Sequence, residues 1–158
     1  MPYEFKSGED EILLAQEKET ILQQFNNEVA WRLGNTAYQK ILATYPGRSA
    51  VIDITLLNGH KLFRAAIGND TQLDNESWVQ RKLNTVKTYN HSSFYIGAKL
   101  TLQNKPALPE QFALHGGSFP IRLQGSDFVI ATLTISGLAQ NEDHQIAYET
   151  LKVIAQEK

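Results

Sequence analysis

The segment His115-Gly116-Gly117-Ser118 contains residue types that are well suited to binding a small ligand. Because glycine has no Cβ, consecutive glycines allow neighbouring backbone N–H groups to turn towards one anion and form a nest. The Ser118 hydroxyl adds a donor, and the His115 imidazole could bind a metal or haem or transfer a proton. The alternative is that the two glycines only allow a tight turn into a following β-strand.

A second group of candidate ligand-binding residues lies on a predicted helix and at its end. Two cations, two hydrogen-bonding groups, a histidine and a serine follow one another closely: Arg81, Lys82, Asn84, Thr85, His91 and Ser92. Together these side chains suit an acidic ligand. The alternative is a solvated helix face with ordinary capping at its end.

Residues for catalysis are harder to assemble from this chain. The four histidines, His60, His91, His115 and His144, lack the spacing of a dedicated zinc site, and no G-x-S-x-G segment is present. His115 is the best candidate for a metal, haem or acid–base role, and His91 is the second. Since no nucleophile and base pair can be recognised, the sequence favours binding over catalysis and leaves the reaction, if any, open.

Composition narrows the class of protein. The 158 residues suit one domain with a substantial core, and 15 Lys and Arg residues against 17 Asp and Glu residues argue against nucleic acid as the main partner. There is no cysteine, so disulfides and thiolate sites are excluded. The polar start of the chain resembles neither a secretory signal nor a membrane anchor, which predicts a cytoplasmic protein.

Apolar spacing and turn residues predict helices over much of the first two thirds of the chain. A charged helix should begin near Ser7 to Asp10, with Thr20 to Phe25 favoured as a strand over a helical continuation. The later helices are predicted from Asn26 or Asn27 to Tyr45, from Asp74 or Asn75 to about Asn90, and, with a strand as the alternative, after Ser92 or Ser93. Gly34, inside one of them, predicts close packing of another backbone.

The remaining segments predict a sheet and a closing helix. Residues 50–57 and 61–67 flank Asn58-Gly59, which is a strong signal for a β-hairpin. Further strands are predicted at residues 112–115, 119–123 and 128–136, and Asn141 should cap the last helix. Hairpins separated by helices indicate a mainly antiparallel sheet of the α+β class.

Three short motifs, in this order, resemble the haem-degrading-domain family, also called the GlcG/HbpS-like group, and within it a cytoplasmic branch. They are Lys82-Leu83-Asn84-Thr85-Val86, Gly116-Gly117-Ser118-Phe119-Pro120, and Ile135-Ser136-Gly137 followed by Asp143. Ser118 departs from the family pattern, which often has a third glycine there, and Ala131-Thr132-Leu133 replaces a strand richer in glycine.

The resemblance implies one domain over residues 1–158, with residues 1–25 as an N-terminal helical extension. It also implies a profilin-like, α+β fold with about five antiparallel strands flanked by helices, assembly into a homo-oligomer, and haem or another small anionic ligand. The resulting hypothesis is an oligomeric small-ligand-binding protein. The alternative hypothesis is a protein–protein interaction or scaffold oligomer without small-molecule chemistry.

Overall fold

The computed structural model describes residues 2–157, which contain five helices and four strands. In chain order these are α1 (Glu9–Gln16), α2 (Asn27–Thr44), β1 (Ala50–Leu56), β2 (Lys61–Ile67), α3 (Leu73–Tyr89), α4 (Ser93–Leu102), β3 (Ser118–Arg122), β4 (Val129–Ser136) and α5 (Gln140–Ala155). The predicted α+β class is confirmed.

The strands form one antiparallel sheet in the order β2-β1-β4-β3. The hairpin predicted at Asn58-Gly59 is confirmed, because β1 and β2 pair with Ala50 opposite Ile67. β4 then inserts between β1 and β3, which places the end of β4 beside the start of β1 and the start of β3.

The two faces of the sheet differ in polarity because successive residues of a strand point to opposite sides. Ile52, Ile54, Leu133 and Ile135 face α2 and α5 and form the main core with residues such as Leu33. The opposite face, against α3, has a small apolar cluster of Val51, Val79 and Leu83. Its other buried side chains are mostly polar: Asp53, Thr55, Ser118, Thr132, Thr134 and Ser136.

The expectation of about five strands is corrected to four. Residues 112–115 are not a strand, because the Ala113 N–H donates to the Arg81 carbonyl of α3 at 3.0 Å instead of to a neighbouring strand. The segment favoured as a strand at residues 20–25 makes a single bridge, between Leu22 and Leu123, so it covers the edge of β3 without forming a strand.

Several local predictions also need adjustment. α1 begins after Gly8 in a left-handed conformation, without the capping box expected at Ser7 and Asp10. α5 begins at Gln140, before the predicted cap Asn141. Gly34 leaves room for a side chain and not for another backbone, because a Cβ at this position would lie 2.5 Å from the Phe63 ring.

Within residues 2–157, every helix is too short or too polar to cross a membrane.

Candidate functional site

An open pocket with a volume of about 260 Å³ lies between the first half of α3 and the turn from β4 to α5. Trp78 and His115 form its sides, and the buried side chains of Lys82 and Asp143 form its floor. Its remaining lining residues come from the start of α3 and from the β4–α5 turn: Gln72, Asp74, Asn75, Ser136, Gly137, Leu138 and Gln140.

α3 contributes both a wall and the floor because Trp78 and Lys82 are four residues apart and share one helix face. The Trp78 indole N–H donates to Asp74 Oδ2 at 3.0 Å, which fixes the ring at the pocket wall. Lys82 enters the space between α3 and β4, where it is only 3% exposed.

The floor of the pocket is a buried ion pair. Lys82 Nζ lies 3.0 Å from Asp143 Oδ2 and donates to the Ile135 carbonyl at 3.1 Å. The Leu138 N–H donates to the other Asp143 oxygen at 3.0 Å, so the β4–α5 turn is tied to the same carboxylate. Burial raises the pKa of Asp143 to about 6, although the Lys82 charge opposes this effect. At neutral pH the Asp143 side chain is therefore a carboxylate, and it is paired with Lys82.

Gly117 allows the backbone to approach this pair. Its φ of 140° favours glycine, and a Cβ would lie 2.8 Å from Lys82 Nζ and 3.2 Å from Asp143 Cβ. Gly116 is similarly confined, since a Cβ would lie 2.8 Å from a ring carbon of Phe94.

The N–H donors predicted to form an anion nest are partly engaged inside the fold. The Gly116 N–H donates to the Gln140 side chain at 3.3 Å, and the Ser118 N–H donates to Ser93 Oγ at 3.2 Å. The Ser118 hydroxyl is buried in β3, where it accepts a hydrogen bond from Thr134. This geometry is that of a turn fixed between two helices and the sheet.

His115 lies at the mouth of the pocket, with its ring edge-on to Trp78 at a centroid distance of 4.7 Å. Partial burial lowers the pKa of His115, and the positive charges of Lys82 and Arg81 lower it further. The side chain nevertheless stays exposed to solvent. His115 is therefore a neutral imidazole at pH 7, which is the form that binds a metal or accepts a proton.

Arg81 packs on the outside of the pocket. Its guanidinium lies 4.5 Å from the centroid of the Trp78 ring, and its Nε donates to the Glu110 carbonyl at 2.6 Å. The cation thus braces Trp78 and the segment before His115. It is absent from the residues that line the pocket.

Asn84 and Thr85 also hold the segment that carries His115. Asn84 donates to the Gln111 carbonyl at 3.1 Å, and the buried Thr85 hydroxyl donates to the Ala113 carbonyl at 2.7 Å. These two residues position His115 from α3 and do not line the pocket.

His91 and Ser92 lie in a different part of the molecule. Ser92 caps α4 by accepting from the Tyr95 N–H at 3.1 Å, and His91 Nδ1 lies 3.1 Å from the buried Glu17 carboxylate. Glu17 also accepts from Arg122 at 2.8 Å, so this cluster anchors the N-terminal segment to α4 and β3. The sequence grouped His91 and Ser92 with the pocket, whereas neither residue lines it.

The most prominent residue that sequence reasoning missed is Trp78. Its position one helical turn before Lys82 was the available signal, because side chains four residues apart meet on a helix. Asp143 was noted as part of a motif, but its pairing with Lys82 joins two residues that are 61 positions apart, which the sequence did not reveal.

Residues 25–152 match the family model described as haem-degrading protein HbpS-like. The chain is 39% identical over 151 residues to the UPF0303 protein YBR137W of Saccharomyces cerevisiae, covering 93% of this chain and 84% of that protein. It is 41% identical over 143 residues to the UPF0303 protein Bcep1808_1522 of Burkholderia vietnamiensis, covering 87% of this chain and 84% of that protein.

Solved structures agree with this assignment. The crystal structure of Ybr137w aligns with a TM-score of 0.88 at 38% identity, covering 95% of this chain and 89% of that chain. Crystal structures of HbpS and of a PduOC:heme complex share the fold, with TM-scores of 0.64 and 0.66 at 18% and 17% identity. The alignment with HbpS covers 85% of this chain and 92% of HbpS. The alignment with PduOC covers 86% of this chain and 96% of PduOC. The resemblance found in the sequence motifs is thus confirmed, and the chain belongs to the HbpS-like family.

Proposed function

We propose that this protein binds a small ligand at the pocket between Trp78 and His115, and that haem is the ligand class. The observation that carries the proposal is His115, a solvent-exposed imidazole with a lowered pKa at the mouth of a pocket with an aromatic wall. The description of the family as haem-degrading and the haem complex of PduOC, which shares the fold, support the choice of haem.

The residues at the mouth of the pocket suit the iron of such a group. Histidine is a common axial ligand of haem iron, and a neutral imidazole can bind iron without first losing a proton. Trp78 and Leu138 offer apolar surface beside it. When bound, haem would supply an iron centre for ligand binding or electron transfer. Lys82 and Asp143 would keep the pocket floor rigid and without net charge.

Other small anions receive less support from the geometry. Lys82 is neutralised by Asp143, and Arg81 is engaged with the Glu110 carbonyl and the Trp78 ring. Asp74 adds a carboxylate to the pocket wall. A ligand held mainly by its negative charge would therefore find no strong attraction at the floor.

Titration of the purified protein with haemin tests the proposal. We expect a saturable shift of the Soret band and, in native mass spectrometry, a mass increase of one haem per chain or per fixed number of chains. A Soret spectrum that stays the same as that of free haemin at all protein concentrations would overturn the proposal.

We also infer that the chain forms a homo-oligomer. Several large apolar side chains are exposed, including Leu73 at 93%, Phe128 at 77% and Trp31 at 59%, and burying them in subunit contacts would be favourable. The same surface would suit the alternative function, a scaffold that binds other proteins. Native mass spectrometry without added ligand distinguishes a defined oligomer from a monomer that awaits a different partner.

A further inference from the structure

We propose that strand β2 and the adjoining side of α2 bind a second copy of this chain, with the two β2 strands paired antiparallel about a two-fold axis at Ala65. The proposal rests on the homo-oligomer inferred above and deepens it, because it assigns one surface and one register to a contact between copies. It does not depend on the His115 pocket. The open edge of β2 and an exposed row of residues on α2 carry it.

The first observation is the outer edge of β2, which lies at one side of the sheet. The other edge strand, β3, is covered by the segment around Leu22, whose N–H donates to the Arg122 carbonyl at 2.9 Å. Within residues 2–157, β1 is the only segment whose backbone pairs with β2. Because alternate residues of an edge strand point their N–H and C=O groups outward, β2 offers a row of donors and acceptors to another strand.

The middle of β2 lacks the features that usually keep edge strands apart, which are a lysine or proline, a bulge or a very short strand. Its one lysine, Lys61, stands at the first position, and the irregularity in the hairpin lies between Lys61 and Phe63. Residues 63–67 pair regularly with β1. The charge of Arg64 is turned onto the buried Asp53 of β1, at 2.8 Å. Residues 63–67 are therefore an open edge without a protecting charge.

The second observation is an apolar row on α2 beside this edge. Residues spaced three, four and four positions apart share one side of the helix: Trp31, Gly34, Tyr38 and Leu42. The close approach of Gly34 to the Phe63 ring places this row beside β2. Trp31 is 59% exposed and Leu42 is 44% exposed. The row and the strand edge therefore adjoin and form one surface.

This surface has two layers, a strand edge and a helix side, and that determines the kind of partner. A single extended peptide could pair with β2, but it would lie in the layer of the sheet and leave Trp31 and Leu42 exposed. A partner that also carries a helix beside an open strand edge covers both layers at once. A second copy of this chain is such a partner, because a two-fold axis through β2 puts both α2 helices on the same side of the joined sheet.

The charges suit a contact between identical surfaces, which would repel each other if they carried one sign of charge. The fully exposed positions of α2 between residues 31 and 42 are all uncharged: Trp31, Asn35, Gln39 and Leu42. The two ends of β2 carry opposite charges, since Lys61 begins the strand and Asp70 follows it. Antiparallel pairing brings the Lys61 end of each copy beside the Asp70 end of the other.

The register follows from which residues would face each other. Opposite residues of an antiparallel pair share a face of the sheet, so the two-fold axis passes through a residue. An axis at Ala65 pairs residues 63 with 67, 64 with 66, and 65 with itself, which uses the whole open edge. An axis at Arg64 would place two arginines opposite each other, which is unfavourable, and an axis at Ala66 would pair fewer residues.

Cysteine crosslinking tests the strand pairing. The chain has no cysteine, so a single introduced cysteine reports only contacts between copies. Ala65→Cys places one thiol of each copy at the axis, where the Cα–Cα distance of about 4.5–5.5 Å across an antiparallel pair suits a disulfide. Under mild oxidation, non-reducing gel electrophoresis should show a linked dimer forming at least about tenfold faster than with Ala107→Cys, an exposed position outside the contact.

Trp31→Ser, added to Ala65→Cys, tests the helix layer. Because both copies lose an apolar ring, the protein concentration needed for half-maximal crosslinking should rise at least about tenfold. Phe128→Ser is the matched control, since it removes another exposed aromatic ring, at the β3–β4 turn, and should leave that concentration unchanged. Circular dichroism and thermal unfolding verify that each variant is folded.

The outcomes separate this contact from the homo-oligomer itself. If native mass spectrometry shows an oligomer of the parent chain, but Ala65→Cys crosslinks no faster than Ala107→Cys, this contact is refuted and the homo-oligomer stands. If the parent is a monomer and Ala65→Cys does not crosslink, both are refuted. Fast crosslinking at position 65 that Trp31→Ser leaves unchanged would overturn the two-layer contact in favour of pairing by the strands alone.

Discussion

At the scale of single residues, the site depends on Lys82, Asp143 and Gly117. The ion pair is almost fully buried, with side-chain exposures of 4% and 2%, and the missing Cβ of Gly117 allows the backbone to pass beside it. Replacing any of the three should disturb both stability and the pocket floor. Two predictions at this scale separate their contributions.

Lys82→Ala should lower the free energy of unfolding by about 3–5 kcal/mol, because it leaves the Asp143 carboxylate buried without its cation. Lys82→Met combined with Asp143→Leu should recover most of this loss, since apolar side chains of similar volume remove the charge that must be compensated. Urea denaturation of the three proteins measures the effect. An equal loss in the single and the double variant would show that packing, and not charge, holds this region.

Gly117→Ala should lower the free energy of unfolding by more than Gly125→Ala. Both glycines have positive φ values, 140° and 80°, but a Cβ at Gly117 would contact the Lys82 ammonium and the Ile135 carbonyl, whereas nothing lies within 4 Å of a Cβ at Gly125. The difference in unfolding free energy between the two variants measures the cost of placing a Cβ in the close contact at Gly117. Equal losses would mean that the positive φ alone explains why glycine occupies position 117.

Burial of His144 gives a prediction for pH dependence. The ring is enclosed beside Phe94 and Phe119, and burial lowers its pKa to about 3 from an ordinary value of 6.5. Because the unfolded chain takes up this proton first, the stability due to neutral His144 is present above pH 6.5 and is lost as the pH falls towards 3. The raised pKa of Asp143 acts in the opposite direction, since its contribution is lost as the pH rises from about 4 to about 6.

The His144→Gln variant isolates this effect, because both proteins retain Asp143. We expect its unfolding free energy to fall less steeply than that of the parent between pH 6.5 and pH 4, as measured by denaturation at a series of pH values. Parallel curves for the two proteins would contradict the assignment.

At the scale of elements, the sequence predicted what local contacts determine. The cap at Asn26 is confirmed, since its side chain accepts from the Val29 N–H at 2.9 Å, and the hairpin at Asn58-Gly59 follows from turn chemistry. Residues 112–115 could not be predicted in this way. Their backbone partners, such as the Arg81 carbonyl, lie far away in the sequence, so β-forming residue types misled the prediction.

The same distinction applies to the site. Arg81, Lys82, Asn84 and Thr85 were selected because they follow one another on a helix, and the structure confirms the helix. Only Lys82 reaches the pocket, because the sheet and residues 105–117 determine which side of α3 faces which neighbour. Lys82 and His115 meet through tertiary packing, which single-sequence patterns do not contain.

Thr85→Val tests whether α3 positions His115 through residues 112–115. The change keeps the shape of the side chain but leaves the Ala113 carbonyl without the Thr85 hydroxyl, which should cost about 1–3 kcal/mol of unfolding free energy. It should also speed hydrogen exchange at the amides of residues 112–115. Thr88→Val, an exposed change on the same helix, serves as the control, and identical exchange in both variants would contradict the positioning role.

At the scale of the whole molecule, a family fold carries an N-terminal segment that lies outside the match to the family model. Residues 25–152 supply the sheet, α3 and the Lys82–Asp143 pair, whereas residues 2–24 pack on α4 through Tyr3 and Phe5 and on β3 through Glu17. His115 lies where the two parts meet. The depression beside His115 is therefore lined by residues of both parts.

The most direct test of the central claim is a haemin titration, followed at the Soret band, of the parent beside its single histidine variants. Haem binding through His115 predicts that His115→Ala weakens binding at least about tenfold and loses the shifted band. His60→Ala, on the exposed hairpin turn, and His91→Ala, at the Glu17 cluster, should both keep the shift. A shift that persists in His115→Ala and disappears in His91→Ala would contradict the claim and move the site to the Glu17 cluster.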